Sequence, residues 1–192
     1  MDGVVSAAGL APLAAAEARR RARRLALVLS DVDGVWTDAG VWYSEAGEVL
    51  KRFSLRDGMG VERLREAGVE TGLVTGERSP AVARRAEKLG LRLVLQGVAD
   101  KRAAVGELLS GAALELSQVA YMGDDHNDLG LIEALRPRGL TAAPADALPA
   151  VARAVHWRSA LPGGHGAFRE FAEWLLGLRE PRGAGRRRKG AP

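Results

Sequence analysis

Short apolar runs alternate with helical patterns along most of this chain, and that order admits few folds. Residues 25–30 form an aliphatic run suited to a strand buried on both faces. Residues 62–67 have helical spacing and stop at Gly68, and residues 70–75 return to strand character. Residues 80–89 predict a helix, with Pro80 in its first turn and Gly90 at its end. A third strand is expected at 91–95, a helix at 101–109, a fourth strand at 119–122 and a helix at 128–135. Residues 139–142 and 154–156 read as short edge strands, and 168–178 as a closing amphipathic helix. Such alternation specifies an α/β fold: a central, mostly parallel sheet with helices on both faces, in three layers. A chain of 192 residues suits one domain with a sizeable core.

One segment departs from the alternation. Residues 41–43 and 48–53 flank Ser44-Glu-Ala-Gly47, which predicts a β-hairpin inserted directly after the first strand. Trp36, Trp42, Tyr43 and Phe53 put four of the nine aromatic residues on this excursion. That density points to a surface that packs on something, such as a partner subunit.

Charge divides the chain into three. The net +4 is the sum of +3 over residues 1–24, −4 over 25–178 and +5 over 179–192. A mildly acidic body therefore carries two basic ends, and the pI of about 9.9 belongs to the ends. Residues 1–24 read as a flexible basic extension with too little apolar face to join a core, and residues 179–192 as a disordered basic tail. Solubilising tails are the plain reading of both, with RNA or an anionic surface as the alternative partner. There is no cysteine, which excludes disulfides, thiolate metal sites and cysteine nucleophiles, and fits a cytoplasmic protein. No apolar run is long enough to span a membrane.

The chemistry gathers at the strand ends. In an open α/β sheet ligands sit beyond the carboxyl ends of the strands. The first strand runs into Asp31-Val-Asp33, whose carboxylates share a side in extended chain. The fourth runs into Gly123-Asp-Asp-His-Asn-Asp128, with carboxylates at Asp124, Asp125 and Asp128. So much negative charge in one place repels itself unless a cation binds, and oxygen ligands without cysteine suit Mg²⁺ better than Zn²⁺. The second strand ends in Thr75-Gly76, a hydroxyl and a free N–H before a helix, and Lys101 follows the third. Paired Asp, Thr, Lys and an Asp cluster together suit phosphoryl transfer.

These residues resemble the four motifs of the haloacid dehalogenase superfamily of aspartate-nucleophile phosphatases. The hairpin, Arg56-Asp57-Gly58 and Gly163-Gly-His-Gly166 narrow the likeness to its small cap-less phosphatases of 3-deoxy-octulosonate 8-phosphate and of 2-keto-3-deoxynononate 9-phosphate. The resemblance covers residues 25–178 and implies a Rossmann-like fold without a cap domain. It implies Asp31 as the nucleophile and Asp33 as the acid and base. It further implies Mg²⁺ held by Asp31, Asp124 and the Asp33 carbonyl, with Asp125 and Asp128 orienting that shell. Thr75, Gly76 and Lys101 would bind the phosphoryl oxygens. The resemblance also implies a homotetramer in which hairpins meet and a neighbour helps to close the site.

Glu77 after Thr75-Gly76, with Arg85 eight and Lys88 eleven positions further on, is similar to the nine-carbon phosphatases, which implies that these residues select the substrate. Arg56-Asp57-Gly58 leans towards the eight-carbon alternative. His165 in the glycine turn is a candidate substrate contact, and His156 reads as packed in the core. Two other classes compete. A silent oligomerisation module has no need of so many costly carboxylates, and a nucleic-acid binder lacks any interleaved basic and aromatic motif.

Overall fold

The computed structural model describes residues 13–180. Helix α1 (Ala15–Ala22) precedes strand β1 (Leu27–Ser30), and the hairpin follows as β2 (Trp42–Ser44) and β3 (Gly47–Leu50). Then come α2 (Leu55–Glu66), β4 (Glu70–Val74), α3 (Pro80–Lys88), β5 (Leu93–Leu95), α4 (Lys101–Gly111) and β6 (Val119–Met122). The chain closes with α5 (Leu129–Leu135), β7 (Leu140–Ala143), α6 (Pro149–Ala154), β8 (Trp157–Arg158) and α7 (Ala167–Arg179).

Six strands form one sheet in the order β5-β4-β1-β6-β7-β8, with every pairing parallel. The hairpin is a separate two-stranded ribbon. Strand residues alternate between two cores, as their period of two requires. Val28, Leu73, Ala120 and Met122 face a core completed by Val61, Leu64, Phe168 and Phe171 of α2 and α7. Leu27, Leu29, Val74 and Val119 face the other, with Val105, Leu131 and Val151 of α4, α5 and α6. The expected three-layer α/β fold is the one observed, with no cap domain among the described residues.

The chain visits β1, β4 and β5 in one direction and returns to β6 on the other side of β1. This reversal opens a crevice beyond the ends of β1 and β6. Ser30 pairs with Met122 on one side and with Leu73 on the other. The segments that follow all three strands therefore start at one level.

Four sequence expectations change. Residues 15–22 are not a frayed extension: α1 docks, burying Ala18 and Ala22, while Arg21 donates to the carbonyls of Arg136 and Gly139. Alanines give this helix a narrow apolar stripe, distant backbone carbonyls accept from Arg21, and Arg20 pairs with Glu17 of the same helix. Residues 1–12 and 181–192, most of the two basic ends, lie outside the described residues. Helix α2 starts seven residues earlier than its apolar spacing indicated. Ser54 caps it, and Gly58 and Gly60, which obscured the pattern, are where Arg85 and Phe168 pack closest. Residues 149–154 form a helix begun by Pro149, and the edge strand moves to Trp157–Arg158. Trp36 leaves the hairpin altogether: it is buried, its ring 4.8 Å from that of Phe168.

Candidate active site

The loop after β1 is built to hold a carboxylate at the sheet edge. The Val32 carbonyl accepts from the N–H groups of Val35, Trp36 and Thr37, which coils the chain back on itself. The Trp36 indole donates to Ser30 Oγ at 3.0 Å, and Ser30 Oγ donates to the Asp31 carbonyl at 2.7 Å. Gly34 has φ +84°, and a Cβ there would lie 2.0 Å from Asp124 Oδ2, so only glycine lets the two loops approach. Gly163 serves the same purpose from the C-terminal side, since its Cβ would lie 1.9 Å from the Gly34 carbonyl oxygen.

Asp31, Lys101, Asp124 and Asp128 meet in this crevice. Lys101 Nζ lies 2.9 Å from Asp31 Oδ2 and 2.6 Å from Asp128 Oδ1. Asp128 is wholly buried. Its Oδ1 also accepts from the Tyr121 hydroxyl at 2.5 Å, and its Oδ2 accepts from the N–H groups of Asp124 and Asp125 at 2.8 and 3.1 Å. Four donors reach its two oxygens, so Asp128 organises the loop around the cluster.

Asp31 and Asp124 are different. Among the described residues, Asp31 Oδ1 accepts only from the Val32 N–H at 2.7 Å, and Asp124 Oδ1 is buried without a hydrogen-bond partner. Burial first, and then the Asp128 charge, raise the Asp31 pKa from 3.8 to about 7. Burial and the Asp31 charge raise that of Asp124 to about 8. Burial alone would lower the Lys101 pKa, but Asp31 and Asp128 outweigh it and raise it. One oxygen each from Asp31, Asp124 and Asp128 lies within 4.8 Å of the others, close enough for a single metal ion. An unpartnered buried carboxylate oxygen, two carboxylates reluctant to ionise and an all-oxygen donor set fit a hard divalent cation.

Asp33 stands apart from this cluster and pairs with Lys51, whose Nζ lies 2.6 and 2.7 Å from its two oxygens. Thr75 is buried at the end of β4, its Oγ1 accepting from the Glu77 N–H, and Gly76 approaches Asn127 of the fourth-strand loop. Asp125 turns to its own backbone, accepting from the His126 N–H as the cap of a short 3₁₀ turn. Glu77 is exposed beside Thr75.

Arg85 and Lys88 are not brought to this edge. Arg85 donates to the Ser54 carbonyl at 3.0 Å and lies over Phe53, bracing α3 against the start of α2. Lys88 is the exposed last residue of α3, a helix that runs away from the strand ends for about 13 Å. His165 lies close to the β1 loop, its Nδ1 2.8 Å from the Gly163 carbonyl and its Nε2 3.0 Å from Arg52. His156 packs against Thr141, and burial, then Arg21 and Arg136, lower its pKa to about 4. Lys51 and Tyr121 belong to the site although no sequence motif includes them. Lys51 sits on the hairpin, and Tyr121 has the pattern of one more apolar strand residue.

No model of a known protein family matches the chain. The 3-deoxy-D-manno-octulosonate 8-phosphate phosphatase KdsC of Yersinia pestis is 36% identical over 157 residues, 82% of either chain. The cobalt-bound form of the Haemophilus influenzae phosphatase superposes with a TM-score of 0.78 at 36% identity, over 83% of this chain and 91% of that one. The Moraxella catarrhalis phosphatase, solved with magnesium ion, phosphate ion and KDO, gives 0.79 at 32% identity, over 85% and 92%. The chain belongs to the cap-less KDO 8-phosphate phosphatase family of the haloacid dehalogenase superfamily. It is a phosphatase of that superfamily, a phosphoric monoester hydrolase. The relatives named here side with the eight-carbon alternative rather than with the nine-carbon preference read from Glu77, Arg85 and Lys88.

Proposed function

We propose that the chain hydrolyses 3-deoxy-D-manno-octulosonate 8-phosphate to the free sugar acid and inorganic phosphate, with Asp31 as nucleophile. The observation that carries the proposal is the crevice of Asp31, Lys101, Asp124 and Asp128, set in a chain about 35% identical to phosphatases named for that substrate. Asp31 attacks phosphorus as the ester P–O bond breaks, giving an aspartyl-phosphate. Asp33 gives its proton to the departing alkoxide, then takes one from the water that hydrolyses the intermediate and frees Asp31. Lys101, Thr75 and the Gly76 N–H neutralise and orient the phosphoryl oxygens. Asp31, Asp124 and the Asp33 carbonyl hold Mg²⁺, and Asp128 and Asp125 fix the loop around it. The bound cation offsets the negative charge of the carboxylates and of the phosphoryl group. Glu77 sits where it can accept hydrogen bonds from substrate hydroxyls. The protein works as a homotetramer assembled through its hairpins.

The test is a steady-state comparison of kcat/KM on the eight-carbon and nine-carbon sugar-acid phosphates, with Asp31→Asn as control. The eight-carbon ester should be preferred. Asp31→Asn should lose roughly 10³-fold or more, the scale of an essential group. Preference for the nine-carbon ester would return Glu77 and Lys88 to the selecting role, and an active Asp31→Asn variant would overturn the mechanism.

A further inference from the structure

We propose that Lys51 is a positioning residue: delivered by the hairpin, it fixes the orientation of the Asp33 carboxyl for proton transfer at the ester oxygen. The proposal rests on Asp33 as the group that moves that proton. Lys51 follows β3, eighteen residues beyond Asp33, yet its side chain is 1% exposed and its Nζ donates to both Asp33 oxygens. Asp33 lies in a loop, so no strand packing sets its rotamer. Among the described residues its other side-chain hydrogen bond comes from Thr37 Oγ1 at 3.3 Å. The ammonium is thus the main constraint on where this carboxyl points.

The ammonium is itself braced. Glu48 Oε2 lies 3.8 Å from Lys51 Nζ, and Glu48 Oε1 accepts a short hydrogen bond from Ser79 Oγ. Ser79 caps α3. The chain Asp33–Lys51–Glu48–Ser79 thereby ties the β1 loop, the hairpin and α3 at one junction. Taking an ammonium out of water is costly unless it is well paired. A residue needed only to fill space at the hairpin base would be apolar. The Asp33 side chain keeps 22% of its surface open, so this brace grips it without enclosing it.

Leaving groups separate positioning from mere support. An alkyl phosphate needs a proton at its departing oxygen, whereas p-nitrophenyl phosphate expels a stable phenolate and needs it far less. The value of kcat/KM reports the step that forms the aspartyl-phosphate. With glycerol 3-phosphate as the alkyl ester, Lys51→Met should lose about 10- to 100-fold in kcat/KM. Its loss on the aryl ester should be at least about tenfold smaller. Lys51→Arg should recover most of the alkyl activity, and Lys51→Gln carries the same comparison should the methionine variant not fold. In an Asp33→Asn background, Lys51→Met should add no further loss. Equal losses on both esters, or losses that multiply with Asp33→Asn, would overturn the proposal. An Asp33→Asn variant as active as the parent would instead overturn the reading of Asp33.

Discussion

Asp31 and Asp124 show most directly how residue environment becomes a measurable property. Their pKa values of about 7 and 8 in the folded protein lie above the ordinary 3.8. The folded state therefore holds these protons more tightly than the unfolded chain does. Their contribution to stability is complete below about pH 4 and is lost as pH rises towards 8. A divalent cation takes over from the protons, so the stabilisation it gives should grow with pH. Melting temperatures measured from pH 5.5 to 8.5 should fall in EDTA and fall less in Mg²⁺, the gap widening as pH rises. A gap that stayed constant would count against Asp31 and Asp124 as the cation's ligands. These residues were legible in the sequence because each follows an apolar run that ends at the same sheet edge. Lys51 was not, because its partner Asp33 becomes its neighbour only when the hairpin folds back.

Among the elements, α2 and α7 depend on one carboxylate that local pattern could not reveal. Asp57 lies in the first turn of α2, and its Oδ1 accepts from the Arg169 N–H at 3.0 Å. Gly166, the residue before α7, has no side chain to cap that helix, so α2 supplies the cap from across the interface. Burial raises the Asp57 pKa to about 6, against the pull of the α7 N–H groups. Its folded pKa exceeds its unfolded value, so its own contribution falls between about pH 4 and pH 6. Asp57→Ala should cost about 1–2 kcal/mol, roughly 2–8 °C in a chain of this size. Asp57→Asn keeps an acceptor and cannot ionise, and should lose less. Thermal melts at pH 5 and pH 8 check both, and an alanine variant that melts with the parent would exclude the capping role. The same interface explains why α2 was misread. Gly58 and Gly60 weaken a helical pattern, yet they are where α3 and α7 come closest. A strand ending in Asp is a local signal, whereas a glycine inside a packed helix has meaning only through its neighbours.

At the scale of the whole molecule, the hairpin is the feature that a single chain leaves unfinished. Two-stranded ribbons are marginal alone, and here Lys51 just beyond β3 and Glu48 beside the turn tie one strand to the body through Asp33 and Ser79. Trp42 and Tyr43 are 69% and 71% exposed, and Val49, Leu50, Leu55 and Met59 are each more than half exposed. Leu55 and Met59 are four apart on α2, so they share a face. Exposed apolar groups this close along the chain are what an association surface would use. Of the four aromatic residues the sequence assigned to this excursion, Trp42 and Tyr43 are exposed, whereas Trp36 is buried in the core and Phe53 packs against it. Removing the patch should dissociate the assembly without unfolding the α/β body, whose two cores contain neither Trp42 nor Leu50. Light scattering should report a tetramer for the parent chain and smaller species for Trp42→Glu combined with Leu50→Glu. With no cap domain to exclude water, the dissociated form should also turn over more slowly. Because the hairpin carries Lys51, part of that loss should be the loss of a fixed Asp33, heavier on alkyl than on aryl esters. A parent chain that is monomeric and fully active at nanomolar concentration would remove the basis for assembly, and a dissociated variant of undiminished activity would show that one subunit closes its own site.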